Sequence, residues 1–226
     1  MTMWTCFLLS AALTGAPADL EKLRDLEDRP ALEHAVADLS VAAQKASSDA
    51  ETQYQLALAS AYMAEISLEL RDKSGAERAS KTGIAAAERA VTLQPANAEY
   101  FRVLGTLYGQ VIPANVLLGM SYGKKSEDAI TKAIALDPKS AQAYLARGIC
   151  NYYKPELFGG GPEPAIHDIR HAIELDAKSA EAYLWLGLAL RKMHHNSEAR
   201  DAFTKSLELN PRRVWTKQQF EKTPAQ

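Results

Sequence analysis

The chain has 226 residues, of which 47% are hydrophobic and 24% charged, and its formal net charge is −2. That much apolar material can bury a core, which excludes an intrinsically disordered or collagen-like chain. The balanced charge leaves no basic footprint for nucleic acid, and the pairs Lys124-Lys125 and Arg212-Arg213 read as cations flanking helix ends.

The first 18 residues read as a secretory signal peptide. No charged side chain precedes Asp19, and an apolar run over residues 4–13 is followed by Ala16-Pro17-Ala18, a small-x-small cleavage pattern. The mature chain is therefore expected to start near Asp19 and to be periplasmic or secreted. The run is too short to predict a membrane span, so no integral span is expected in the mature chain. Cys6 lacks the Leu-Ala/Ser-Gly/Ala neighbours of a lipoprotein acylation site. With the signal removed only Cys150 remains, so no intrachain disulfide can form, and Cys150 is expected to be a small packed thiol.

Beyond residue 18 the chain follows one frame, legible without interruption in residues 180–213. With Ala180 as position 1, Tyr183 stands at position 4, Leu186 and Gly187 at 7 and 8, Ala199 at 20, Phe203 at 24 and Pro211 at 32. These placements resemble the tetratricopeptide repeat (TPR) family, a unit of two antiparallel helices in 34 residues. Small residues are needed where the two backbones come closest, which Gly187 and Ala199 supply, and Tyr183, Leu186, Leu190 and Phe203 fill the space beside them. Pro211 stops the second helix. The resemblance implies an all-α fold, a right-handed α-solenoid of helix pairs closed by a C-terminal capping helix.

The other units follow in chain order. Residues 19–49 form a degenerate N-terminal pair, with residues 19–28 as one helix and Ala35, Leu39 and Ala42 on the other. Residues 50–97 carry Leu56 and Ala57, then Ala87, Ala90, Leu93 and Pro95. Residues 98–140 carry Phe101, Leu104, Gly105 and Tyr108, then Ile130, Ala133, Leu136 and Pro138. Residues 141–179 carry Tyr144 and Gly148, then Ala165, Ile169, Ala172 and Leu175, with Ala177 in place of the proline. After the uninterrupted unit 180–213, residues 214–226 supply a capping helix and tail, with Trp215 and Phe220 to cover the last apolar face.

The unit starts at 50, 98, 141 and 180 are 48, 43 and 39 residues apart, so the first three units exceed 34 by 14, 9 and 5. Because the frame holds on both sides of each surplus, the insertions belong between the two helices of a unit, along one edge of the solenoid. Residues 65–83 are charged and predict longer helices in the first unit. Residues 111–120 and Leu157-Phe158 are apolar.

No Ser-His-Asp order, phosphate-binding glycine loop or zinc-protease motif is present, so neither an enzyme nor a cofactor is expected. His167 and His171 share one side of a helix, but two ligands do not make a metal site. His194-His195 belongs to a turn, and the Leu-Phe-Gly-Gly-Gly-Pro segment lacks the Lys-Ser/Thr ending of a phosphate loop.

In TPR proteins binding residues come from positions 2, 5, 9 and 12 of the first helices, on the concave face. The candidate groove here comprises Tyr54, Arg102, Leu145, Ile149, Tyr152, Leu184, Leu188 and Arg191, with Tyr153 and Trp185 beside it. It is apolar, whereas TPR domains that hold acidic chaperone tails place Lys, Asn and Arg there, so an apolar or aromatic-rich protein or peptide partner is expected. Two alternatives stand: an open groove, or a groove covered by the apolar insertions.

One segment narrows the resemblance. Residues 152–166, of pattern Y-x-K-P-x-L-F-G-G-x-P-E-x-A-I, together with long first-unit helices, look like periplasmic TPR proteins of the TatT type. That group is associated with TRAP transporters and implies an alternative role: an oligomeric accessory subunit binding a small apolar ligand or a solute-binding protein.

Overall fold

A computed structural model of the protein describes residues 17–114 and 116–225. The expected signal peptide lies outside the described residues except for Pro17 and Ala18. All regular structure among the described residues is helical. In chain order it consists of α1 (Pro17–Asp25), α2 (Arg29–Lys45), α3 (Ala50–Glu69), α4 (Lys73–Leu93), α5 (Ala98–Ala114), a 3₁₀ turn (Val116–Leu118), α6 (Gly119–Leu136), α7 (Ala141–Tyr153), a second 3₁₀ turn (Glu156–Phe158), α8 (Pro162–Leu175), α9 (Ala180–Lys192), α10 (Asn196–Leu209) and α11 (Val214–Glu221). Consecutive helices pack in pairs, giving the α-solenoid that the repeat frame implies.

The joints follow from a few residue types. Helices α2, α3, α4, α7 and α9 open on Asp28, Asp49, Asp72, Ser140 and Ser179, whose side chains each accept a backbone N–H from the first turn. Helices α4, α6, α8 and α10 all end on leucine, and the next residue leaves the helical region, with φ between −135° and −142° and ψ between 79° and 92°. In three of them proline follows, which disfavours helical geometry in its predecessor. Ala177 keeps the same turn without proline: Asp176 Oδ1 accepts Lys178 N–H at 3.0 Å, as Asp137 does for Lys139 at 3.1 Å and Asn210 for Arg212 at 3.2 Å. The side-chain turn, rather than the proline ring, is common to the last three repeats.

Within each of the last three pairs the glycine at position 8 sets the helix separation. A Cβ on Gly187 would lie 2.6 Å from the Phe203 ring, one on Gly148 2.7 Å from Ile169, and one on Gly105 2.5 Å from Ile130. The surplus residues of the first unit are helix: α3 has 20 residues and α4 has 21, against 13 and 14 for α9 and α10. In the second unit α5 continues through Pro113, and Val111, Ile112 and Leu118 pack into the core formed by the first six helices.

The buried apolar side chains form two large clusters. One runs from Leu20 to Ala129 and the other from Leu145 to Phe203, with Trp215 and Phe220 at its rim; a small third surrounds Ala50, Ala90 and Tyr100. On α6 and α7, between the two large clusters, the buried Ile130, Ala133, Ala143 and Ala146 are accompanied by polar contacts. Ser126 Oγ donates to Gly105 O at 2.7 Å and approaches Cys150 Sγ at 3.2 Å, and Lys154 pairs with Glu127. Cys150 is thus a packed thiol, its pKa pushed up by burial.

Candidate functional site

The first helices of the units line the concave face, and the structure divides the ten groove residues into two groups. Toward the amino terminus, Tyr54 stacks on Tyr100 with ring centroids 4.9 Å apart, and its hydroxyl donates to Glu99 at 3.1 Å. Arg102 grips the same Glu99 through two hydrogen bonds of 2.6 Å. Neither side chain is free to meet a ligand.

Toward the carboxy terminus, Leu145, Leu184, Trp185 and Leu188 are buried, with Ile149 and Tyr152 at the edge of the same cluster. Arg191 is taken up by the cap: it donates to Gln219 O at 3.1 Å, to Gln219 Oε1 at 2.8 Å and to Thr223 Oγ1 at 3.2 Å. Tyr152, Tyr153 and Trp185 meet edge to face, with centroids 5.0 to 5.9 Å apart, and Trp215 of α11 joins Trp185 at 5.7 Å. Lys192 Nζ lies 4.6 Å from the Tyr152 ring centroid.

One member of this aromatic group reaches solvent. Tyr153 has 55% of its surface exposed, although shelter around its phenol pushes the pKa up, with Tyr152, Glu69 and Glu65 adding to the shift. On the turn that follows it Leu157 is 88% exposed and Phe158 67%. The turn that presents them is closely specified. Gly159 and Gly161 have φ of 78° and 111°, a Cβ on Gly160 would lie 2.2 Å from Lys154 O, and Gly161 N–H donates to Asn151 O at 2.8 Å.

Of the two alternatives, an open groove or one covered by the apolar insertions, the structure takes neither. Leu157 and Phe158 point outward, and the groove is closed instead from its two ends. Leu20 of α1 is buried against α3, and Arg24 lies over Tyr62 at 5.1 Å. From the other side Arg213, just before α11, reaches Glu65 at 2.7 Å and also bonds Glu69. Arg24 pairs with Asp25 at 2.7 Å and approaches Glu181 at 3.5 Å; Arg213 Nε stands 3.5 Å from the same Glu181. Asn210 donates to Asp25 at 2.6 Å and Gln218 to Glu27 at 3.3 Å. Four carboxylates and two guanidiniums thus join the first unit to the last.

This cluster sets the electrostatics of the concave face. Burial pushes Glu69 up to about 8 and Glu65 in the same direction, against the pull of the neighbouring guanidiniums. Both arginines are held charged by the carboxylates around them despite burial.

A family model described as Regulator of microtubule dynamics protein 1-3 matches residues 19–222. The chain belongs to this family. No curated protein matches it. Among solved structures, this family member is similar to a thermophilic TPR protein, TTC0263 of Thermus thermophilus. Identity is 20% and the TM-score 0.62, over 92% of this chain and 98% of that one. The HusA haemophore of Porphyromonas gingivalis has 20% identity and a TM-score of 0.60, over 78% of this chain and 94% of that one. At such identities the likeness establishes a fold shared with TPR proteins.

The six charged residues of the family member's concave cluster were not among the sequence candidates. Arg212-Arg213 read as a pair of helix-end cations, but Arg213 is fully buried and sits at the amino-terminal end of α11, where the helix dipole does not favour a cation. A signal for the cluster does exist in the sequence. Glu65 and Glu69 are like charges at i and i+4 on one helix, which is unfavourable unless a cation from elsewhere lies between them.

His167 is exposed on α8, and His171 stacks edge-on against Tyr144 at 4.4 Å. They line a hollow of about 360 Å³ with Glu163, Ile166, Arg170 and Glu174, away from the groove. Among the described residues no group of three metal-ligating side chains occurs, and no helix is long and apolar enough to cross a membrane.

Proposed function

We propose that this protein is a non-enzymatic interaction scaffold that binds an apolar or aromatic-rich segment of another protein where the carboxy-terminal half of the groove meets the insertion edge. One observation carries this reading: Tyr153, Leu157 and Phe158 are exposed within six residues of chain on a turn whose glycines admit little other geometry. Exposed apolar side chains held in a defined shape can seat a partner without first paying to order the site. The family description, regulators of microtubule dynamics, supports a role exerted on other proteins.

Export belongs to the proposal and is supported by the apolar run over residues 4–13 and its small-x-small boundary; the family match starts at Asp19, where the mature chain would begin. A transport accessory subunit holding a small apolar ligand is less well supported. Leu184 and Leu188, which would line its cavity, are buried within the last unit and its cap.

Placing a photo-crosslinking amino acid at position 158, and at Lys205 on α10 as a control, tests the scaffold reading in the native host. A discrete protein adduct at 158 alone supports it. Equal labelling at both positions, or none at 158, refutes it.

A further inference from the structure

The solenoid is divided and then fastened. Its buried apolar side chains fall into one large cluster over α1–α6 and another over α7–α11, with Ser126, Cys150 and the Lys154–Glu127 pair between them. Across the concave opening the two halves meet again through polar side chains: Arg24, Asp25 and Glu27 of the amino-terminal segment, Glu65 and Glu69 of α3, Glu181 of α9, and Asn210, Arg213 and Gln218. Apolar packing holds each half together, whereas charge holds the opening shut.

We propose that this cluster is a proton-controlled latch: protonated, it closes α1 and Arg213 over the concave face, and on losing its proton it lets the α7–α11 half swing away from α1–α6 and uncovers the groove. The geometry gives the reason. Two guanidiniums face four carboxylates, so the closed arrangement carries two excess negative charges out of water unless protons offset them. Glu69 is the group placed to carry one. It is faced by Arg213 ahead of α11, by Glu65 one turn away on α3, by Glu181 of α9 and by the Tyr153 phenol of α7; Arg24, Asp25 and Tyr62 complete the surroundings through Glu65. Burial dominates its shift, and its pKa of about 8 lies where a modest change in surroundings changes its charge.

The sign follows from linkage. In the open form Glu69 faces water and titrates as an ordinary carboxylate, so the closed form binds the extra proton. The closed form is favoured fully below the ordinary carboxylate range and loses that advantage as pH rises through about 8. The hinge lies where α6 meets α7, between the two large apolar clusters. What the opened groove would bind rests on the scaffold reading above; the latch itself does not.

The test measures the distance between spin labels on the two halves, with no partner present. Val41→Cys on α2 and Lys205→Cys on α10, both exposed, carry the labels in a Cys6→Ser, Cys150→Ser background. At pH 6 one distance is expected; at pH 9 a second, displaced population should appear and become the larger. Glu69→Gln, which keeps the shape and cannot ionise, should retain the pH 6 distance at pH 9. Arg213→Ala should show the displaced population at both values. Circular dichroism at each pH shows whether the helices persist. An unchanged distance between pH 6 and 9, equal movement in Glu69→Gln, or loss of helix in place of movement each overturns the latch. If Arg213→Ala fails to fold, the comparison with Glu69→Gln still decides.

Discussion

Arg213 donates a 2.7 Å hydrogen bond to Glu65, a residue 148 positions earlier in the chain, and thereby ties the last repeat to the first. The other nitrogens of its guanidinium reach Glu69 and approach Glu181. An open solenoid contacts only neighbouring repeats, so this one bond changes its mechanics.

Replacing Arg213 with alanine leaves Glu65 and Glu181 facing one guanidinium, Arg24, instead of two. Breaking such a buried cluster by removing one partner costs about 3–5 kcal/mol, since the carboxylates left behind keep their desolvation penalty. Chemical denaturation of Arg213→Ala should show a loss of this size, and Glu181→Gln in the same background should recover part of it.

Stability should also fall as pH rises. Glu69 binds its proton more tightly folded, with a pKa of about 8, than unfolded, where it is an ordinary carboxylate. The stabilisation it confers is complete below the ordinary carboxylate range and is lost as pH approaches and passes about 8. Denaturation midpoints taken between pH 5 and 9 should decline for the unaltered protein and stay nearer to level for Glu69→Gln.

Glycines at different places in the frame should respond oppositely to alanine. Gly187→Ala drives a Cβ to 2.6 Å from Phe203 and should cost roughly 1–3 kcal/mol by forcing the two helices apart. Gly123, inside α6, has no atom within 4 Å of a built Cβ, so Gly123→Ala should gain about 0.5–1 kcal/mol through helix propensity. Thermal melts of the two variants would bracket the parent.

Leu157→Ser and Phe158→Ser remove exposed side chains that the core does not use. Their effect on folding should stay within about 0.5 kcal/mol, while the adduct formed by a photo-crosslinking amino acid placed at the exposed Glu156 of the same turn should disappear. Parallel melts and crosslinking distinguish a binding surface from a packing one.

The repeat frame could be read from the chain because its residues act over short distances. Gly187 against Phe203 and Leu209 ahead of Pro211 are local relations, and local relations recur at a fixed period. The surplus lengths were equally legible, although not whether they cover the groove: Leu157 and Phe158 face outward because the turn geometry set by Gly159, Gly160 and Gly161 aims them there.

The closure was not legible. Periodicity carries no information about which residue meets another 148 positions away, and Arg213 looks in sequence like any cation at a helix boundary. Only the curvature accumulated over the stacked units brings α1, α3 and α9 to the same guanidinium. Local packing thus let the sequence alone determine the helices, their pairing and their apolar faces. Long-range geometry decided that the concave face is shut at its ends by buried charge, leaving Tyr153 the most exposed of the candidate residues, beside the exposed Leu157 and Phe158 of the following turn.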